Sequence, residues 1–181
     1  MDQNTWLQNF LTEESVKPDF NKIENVKNFT ILWNLFERFF CDKEGSLSKI
    51  QLKLTDLKQR GYILPPQSFD VPYNYFRERY ITNKQTNLIF EKLDFRDTKT
   101  EETFKESLKN CLEGETTVDY DKLSALLIIT SRFRNNLFHG SKNIAKISEQ
   151  EESFAQLNSA LMSLLDFLKK SGKLSSVEEK L

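Results

Sequence analysis

Apolar residues that recur every three or four positions, run after run, constrain this chain more than any other feature, because that spacing is the mark of an amphipathic helix. The first run holds Phe20, Ile23, Val26, Phe29, Leu32, Trp33, Phe36, Phe39 and Phe40 and predicts a helix over 20–41. A shorter helix follows over 46–60, ahead of Gly61, a natural C-terminal cap. Thr98 with Glu101 forms a capping-box pattern, and the stripe Phe104, Leu108, Cys111 and Leu112 continues to Gly114. A long helix starts near Asp119 or Asp121, carries Leu123, Leu126, Leu127, Thr130, Phe133 and Leu137, and should stop at Gly140. Ser148 with Glu151 reads as a second capping box, opening a last helix striped by Phe154, Leu157, Leu161, Leu164, Leu165 and Leu168 and followed by Gly172.

The remaining segments are less periodic. Residues 1–18 show no clear period, and 61–73, with three prolines, read as a loop. Residues 74–95 suggest one or two short helices, with a small hairpin as the alternative. The tail 174–181 is short and charged and is expected to fray. Only 5 Gly and 4 Pro favour helices over turns, and 15 Phe point to an aromatic core. The 181 residues suit one domain, 1–181, and the fold class expected is an all-α bundle of four to five main helices.

Chemistry concentrates in one place. His139 is the single histidine of the chain, and histidine is the natural proton carrier near neutral pH. Arg134 precedes it by five residues, roughly 140° around a helix, and Asn135 lies within that wedge at i, i+4 from the histidine. A donor fork, a proton carrier and an orienting amide together can handle a phosphate. From Lys122 through Ser148 there is no Asp or Glu, where the chain's average would place about four. Arg132, Arg134, Lys142 and Lys146 fall in that stretch, so an anion-binding patch is expected. Gly140 sets His139 in the last helical turn, where partial negative charge favours the protonated ring.

Other classes are poorly served. Net charge is −1, so any nucleic-acid contact must use a local patch. Cys41 and Cys111 with one histidine lack the spacing of a metal site, and no Gly-rich phosphate loop is present; no cofactor and no metal are expected. The N-terminus lacks signal-peptide regions and no run of 18 apolar residues exists, so a cytoplasmic protein with no membrane segment is expected.

The string Arg134-Asn135-Asn136-Leu137-Phe138-His139-Gly140 resembles the Arg-Asn-x-x-x-His signature of HEPN domains, and its flanks Arg132-Phe133 and Ser141-Lys142 resemble the Apea-like and abortive-infection branches. The resemblance implies a HEPN-like bundle with a branch-specific insertion over 43–100, between the first and later core helices. It also implies metal-independent cleavage of single-stranded RNA, as a toxin or an anti-phage effector. Arg134 would stabilise developing phosphate charge, His139 would move protons, and Asn135 would orient the pair. Asn136 is a possible supporting residue, and Arg132, Lys142 and Lys146 are expected to contact RNA. Glu37 either flanks the motif from the first helix, as polar residues do in that family, or faces solvent. HEPN toxins paired with a nucleotidyltransferase antitoxin carry Tyr two residues after the histidine; here that residue is Ser141.

The reaction needs one proton acceptor and one donor, whereas the chain has one histidine. A composite site in a homodimer, with the long helices meeting around the motif, would supply two. An antitoxin or defence-system protein is the other partner expected. The alternative function is a non-catalytic HEPN module that binds a nucleotide or regulates a defence system.

Overall fold

The computed structural model describes residues 2–10, 19, 23–138 and 144–172. Its elements are α1 (Gln3–Phe10), α2 (Glu24–Phe39), α3 (Leu47–Gln59), α4 (Asp70–Tyr80), β1 (Ile81–Thr82), β2 (Gln85–Thr86), α5 (Leu88–Glu91), α6 (Lys99–Glu113), α7 (Asp119–Phe138), a 3₁₀ helix (Ile144–Gln150) and α8 (Glu151–Lys170). The protein is an all-α bundle, as its spacing predicts. Among the described residues six of its helices have eleven residues or more, against the four to five expected.

The long helix α7 is the axis. It is buried on every side from Ala125 through Phe133, because α3, α4, α6 and α8 all pack against it. A helix surrounded in this way loses its polar face, which accounts for the missing acids from Ala125 to Phe133 but not for those from Arg134 to Ser148. α2 lies along α8, and the two are pinned by Asn158 Nδ2 donating to Asn25 O and by Asn25 N donating to Glu151 Oε1, both at 2.8 Å.

Phenylalanine supplies the continuity of the core. Phe29 of α2 meets Phe154 of α8 edge-on with centroids 5.1 Å apart, Phe154 meets Phe133 of α7 at 5.3 Å, and Phe133 meets Phe76 of α4 at 6.0 Å. Each such pair contributes about 0.5–1.5 kcal/mol beyond the area it buries.

Local signals set several helix ends. Ser46 Oγ accepts from Lys49 N, and Thr98 Oγ1 accepts from Glu101 N, both at 3.3 Å. Gly61, just beyond α3, takes φ 73°, which a residue with a Cβ adopts at a cost. Elsewhere the structure departs from expectation. Residues 3–10 form α1, although their sequence shows no stripe. α4 begins at Asp70, inside the segment read as a loop, because Pro72 sits in its first turn, where no intrahelical N–H bond is lost. The hairpin at 81–86 is real; Asn83 and Lys84 hold its two-residue turn at φ 52° and 64°. Ser148 caps nothing as an α-helix start: it lies within the 3₁₀ helix, and the Glu151 carboxylate turns to Asn25 instead. The segment 43–100 is part of the bundle itself, since Ile50, Leu54, Phe69, Phe76 and Phe90 are buried in the common core.

Candidate functional site

The last two turns of α7 carry the motif, and they divide it between two faces. Arg132 and Asn136, at i and i+4, share one face. There Arg132 is 2% exposed; Nε donates to Leu93 O at 3.1 Å, Nη1 to Glu101 Oε2 at 2.8 Å, and Nη2 to Asp94 O. Its guanidinium also lies over the Phe95 ring, 5.2 Å from the centroid. Burial pulls its pKa down, and the charges of Glu101 and Asp94 push it back up. Asn136 Nδ2 reaches the carbonyls of Lys92 and Leu93 at 3.4 Å. These two residues fasten the loop between α5 and α6 to α7. The expectation that Arg132 meets RNA is therefore corrected: its guanidinium is spent on carbonyls and a carboxylate inside the protein. Asn136 likewise supports the loop.

The second face carries Arg134 and Phe138, again at i and i+4, with Asn135 beside them. Arg134 Nη1 donates to Asn135 Oδ1 at 3.2 Å, and Nη2 stands 3.9 Å from Glu37 Oε1 on α2. The guanidinium carbon lies 5.8 Å from the Trp33 ring centroid and 5.6 Å from that of Phe138. Glu37 thus belongs beside the motif, and the solvent-facing alternative is set aside. By spacing alone Trp33 is one more member of an apolar stripe and Phe138 an unmarked position of the motif, so neither signals its place beside Arg134.

Gly45 completes the setting. A Cβ there would come within 2.7 Å of Trp33 Cζ2 and 2.8 Å of Glu37 Cγ, so the turn after α2 lies directly on these two side chains. Trp33 Nε1 and Arg134 Nε are buried and find no acceptor among the described residues. Arg134 is accordingly held more by stacking than by hydrogen bonds. Its ion pair with Glu37 is long, with side chains 32% and 24% exposed, and such a pair contributes less than about 1 kcal/mol. A phosphate can take two parallel charge-assisted bonds from a guanidinium, a geometry that the long Glu37 contact lacks.

His139 and Lys142 lie outside the described residues, as do Gly140 and Ser141, and of Lys146 only the backbone, in the 3₁₀ helix, is described. The expected patch of four cations is smaller than its sequence suggests: Arg132 is neutralised within the protein, and Arg134 is the member whose described side chain reaches solvent. α7 is buried from Ala125 through Phe133, so a second copy cannot lie along the middle of this helix.

Among the described residues no group of three or more His, Cys, Asp or Glu side chains is placed to hold a metal, and no helix is long and apolar enough to cross a membrane. A groove of about 410 Å³ between α6 and α7, lined by Ser107, Cys111, Asp121 and Ser124 among others, shares no residue with the Arg134 group. Compared with protein-family models, curated proteins and solved structures, the chain matches none.

Proposed function

We propose that this chain is a metal-independent endoribonuclease of the HEPN type, acting as a toxin or defence effector, with a site completed by a second copy of itself. The observation that carries the proposal is the Arg134 group. A partly exposed guanidinium, steadied by Asn135 and by two aromatic rings and only weakly engaged by Glu37, precedes the chain's one histidine by five residues.

In this reading the RNA 2′-oxygen attacks the adjacent phosphorus and the bond to the 5′-oxygen of the next nucleotide breaks. A 2′,3′-cyclic phosphate and a 5′-hydroxyl remain. One His139 takes the proton of the 2′-hydroxyl, and the other copy's His139 gives one to the departing 5′-oxygen. Arg134 faces the charge that grows on the phosphoryl oxygens, and Asn135 holds its orientation. An antitoxin or other defence-system protein would restrain or trigger the activity.

A second reading has its own support. Arg134 stacked against Trp33 and close to Glu37 also suits a module that holds a nucleotide or a partner without turnover. Single-stranded RNA incubated with the protein in EDTA separates the two. The ribonuclease reading expects cyclic-phosphate ends from wild type and none from Arg134→Ala or His139→Ala. Intact RNA with wild type, or equal cleavage by His139→Ala, would sink it.

A further inference from the structure

The residue beside Arg134 that the reaction leaves unused is Phe138. It is 54% exposed, although the α7 residues Leu126, Leu127, Ile129 and Phe133 are almost fully buried. Part of its ring is covered by the Arg134 guanidinium, at 5.6 Å from the centroid, and the rest is open to solvent. A nucleotide presents the complementary pair, an aromatic plate next to an anion.

We propose that Phe138 is the base-stacking residue of this site: the nucleobase adjoining the phosphate at Arg134 lies on the open part of its ring, with purines favoured for their larger face. The inference rests on the ribonuclease reading for its substrate class, a single-stranded RNA. The surroundings favour a nucleobase over a protein partner. Phe138 is flanked by Arg134, whose guanidinium a nucleotide's phosphate would satisfy and an apolar partner surface would leave without an anion. Stacking also tolerates any base, since every base has a π-face.

The probe is a 2′-O-methyl RNA carrying 2-aminopurine, which cannot be cleaved because its 2′-oxygen is blocked, and whose fluorescence falls when the base stacks. Wild type should bind it with quenching. Phe138→Leu, which keeps an apolar side chain but removes the ring, should weaken binding about ten- to a hundredfold, the worth of one stacked base. Phe138→Trp should restore both affinity and quenching. Phe138 is a surface residue, so circular dichroism should find all three proteins equally folded.

The proposal is overturned if Phe138→Leu binds like wild type, if that substitution alters the oligomeric mass seen by light scattering, or if wild type does not bind. Quenching that depends on Phe138, with unmodified RNA left intact, would sustain this inference and remove the ribonuclease reading. Cleavage with the same KM for wild type and Phe138→Leu would do the reverse.

Discussion

Replacing Arg132 by Met tests whether the first arginine of the motif region is structural. The substitution keeps the stem and deletes the guanidinium. It would leave the Glu101 carboxylate, 15% exposed, without its partner at 2.8 Å, and would strip a donor from the carbonyls of Leu93 and Asp94. Each bond to a charged group is worth about 1.5–3 kcal/mol, but the loop can relax and the terms do not add. Removing one partner of a buried pair costs about 3–5 kcal/mol in all, against about 5–15 kcal/mol for the whole stability of an ordinary domain. Urea unfolding followed by circular dichroism reads this directly. Adding Glu101→Gln to the Met variant should recover part of the loss, because it removes the unpaired charge. A loss below about 0.5 kcal/mol, the range of ordinary surface changes, combined with weaker RNA binding, would show that Arg132 faces the ligand after all.

Gly45→Ala should push its methyl onto Trp33 and Glu37, costing about 1–3 kcal/mol as overpacking does, and should lower nucleotide affinity by displacing the groups around Arg134; unchanged stability and affinity would contradict the geometry. Phe133→Ala removes the ring that joins Phe76 to Phe154 and should cost about 3–5 kcal/mol in the same urea assay, with a loss under 1 kcal/mol counting against the aromatic chain. Burial, with Glu37 nearby, pushes the Cys41 thiol up to about 12, and the thiolate is the reactive form. Iodoacetamide at pH 8 should therefore leave Cys41 unmodified until urea unfolds the chain, and labelling of the native protein at the rate of a free cysteine would refute its burial.

What the sequence disclosed was local. The stripes of α2, α6 and α8 and the cap at Thr98 depend on neighbours within one or two turns, and each is found where its spacing puts it. What stayed hidden depends on distant residues. The carbonyls that consume Arg132 belong to Leu93 and Asp94, 39 and 38 positions away, so a buried arginine looked like one more surface cation. Glu101 fits a capping box by spacing, yet its carboxylate goes to Arg132 and to Arg96 N rather than back to Thr98. The Asn83-Lys84 turn lacks the glycine that usually betrays a two-residue hairpin. At the site, Arg134 and Asn135 were legible because they are adjacent. Glu37 was half legible as a polar residue of the first helix, Phe138 lies at i, i+4 from Arg134 on the same helix, and the roles of Trp33 and Gly45 exist only once α2 lies against the end of α7.

The central claim is a catalytic site shared between two copies, each contributing one His139. Wild type mixed with His139→Ala, unfolded and refolded together so that subunits exchange, tests it in one titration of RNA cleavage. If both histidines are needed, activity follows the fraction of all-wild-type dimers and drops to roughly a quarter at equal amounts, as random pairing in a twofold assembly requires. Activity that falls in simple proportion to the wild-type share, or no cleavage at any ratio, contradicts the account.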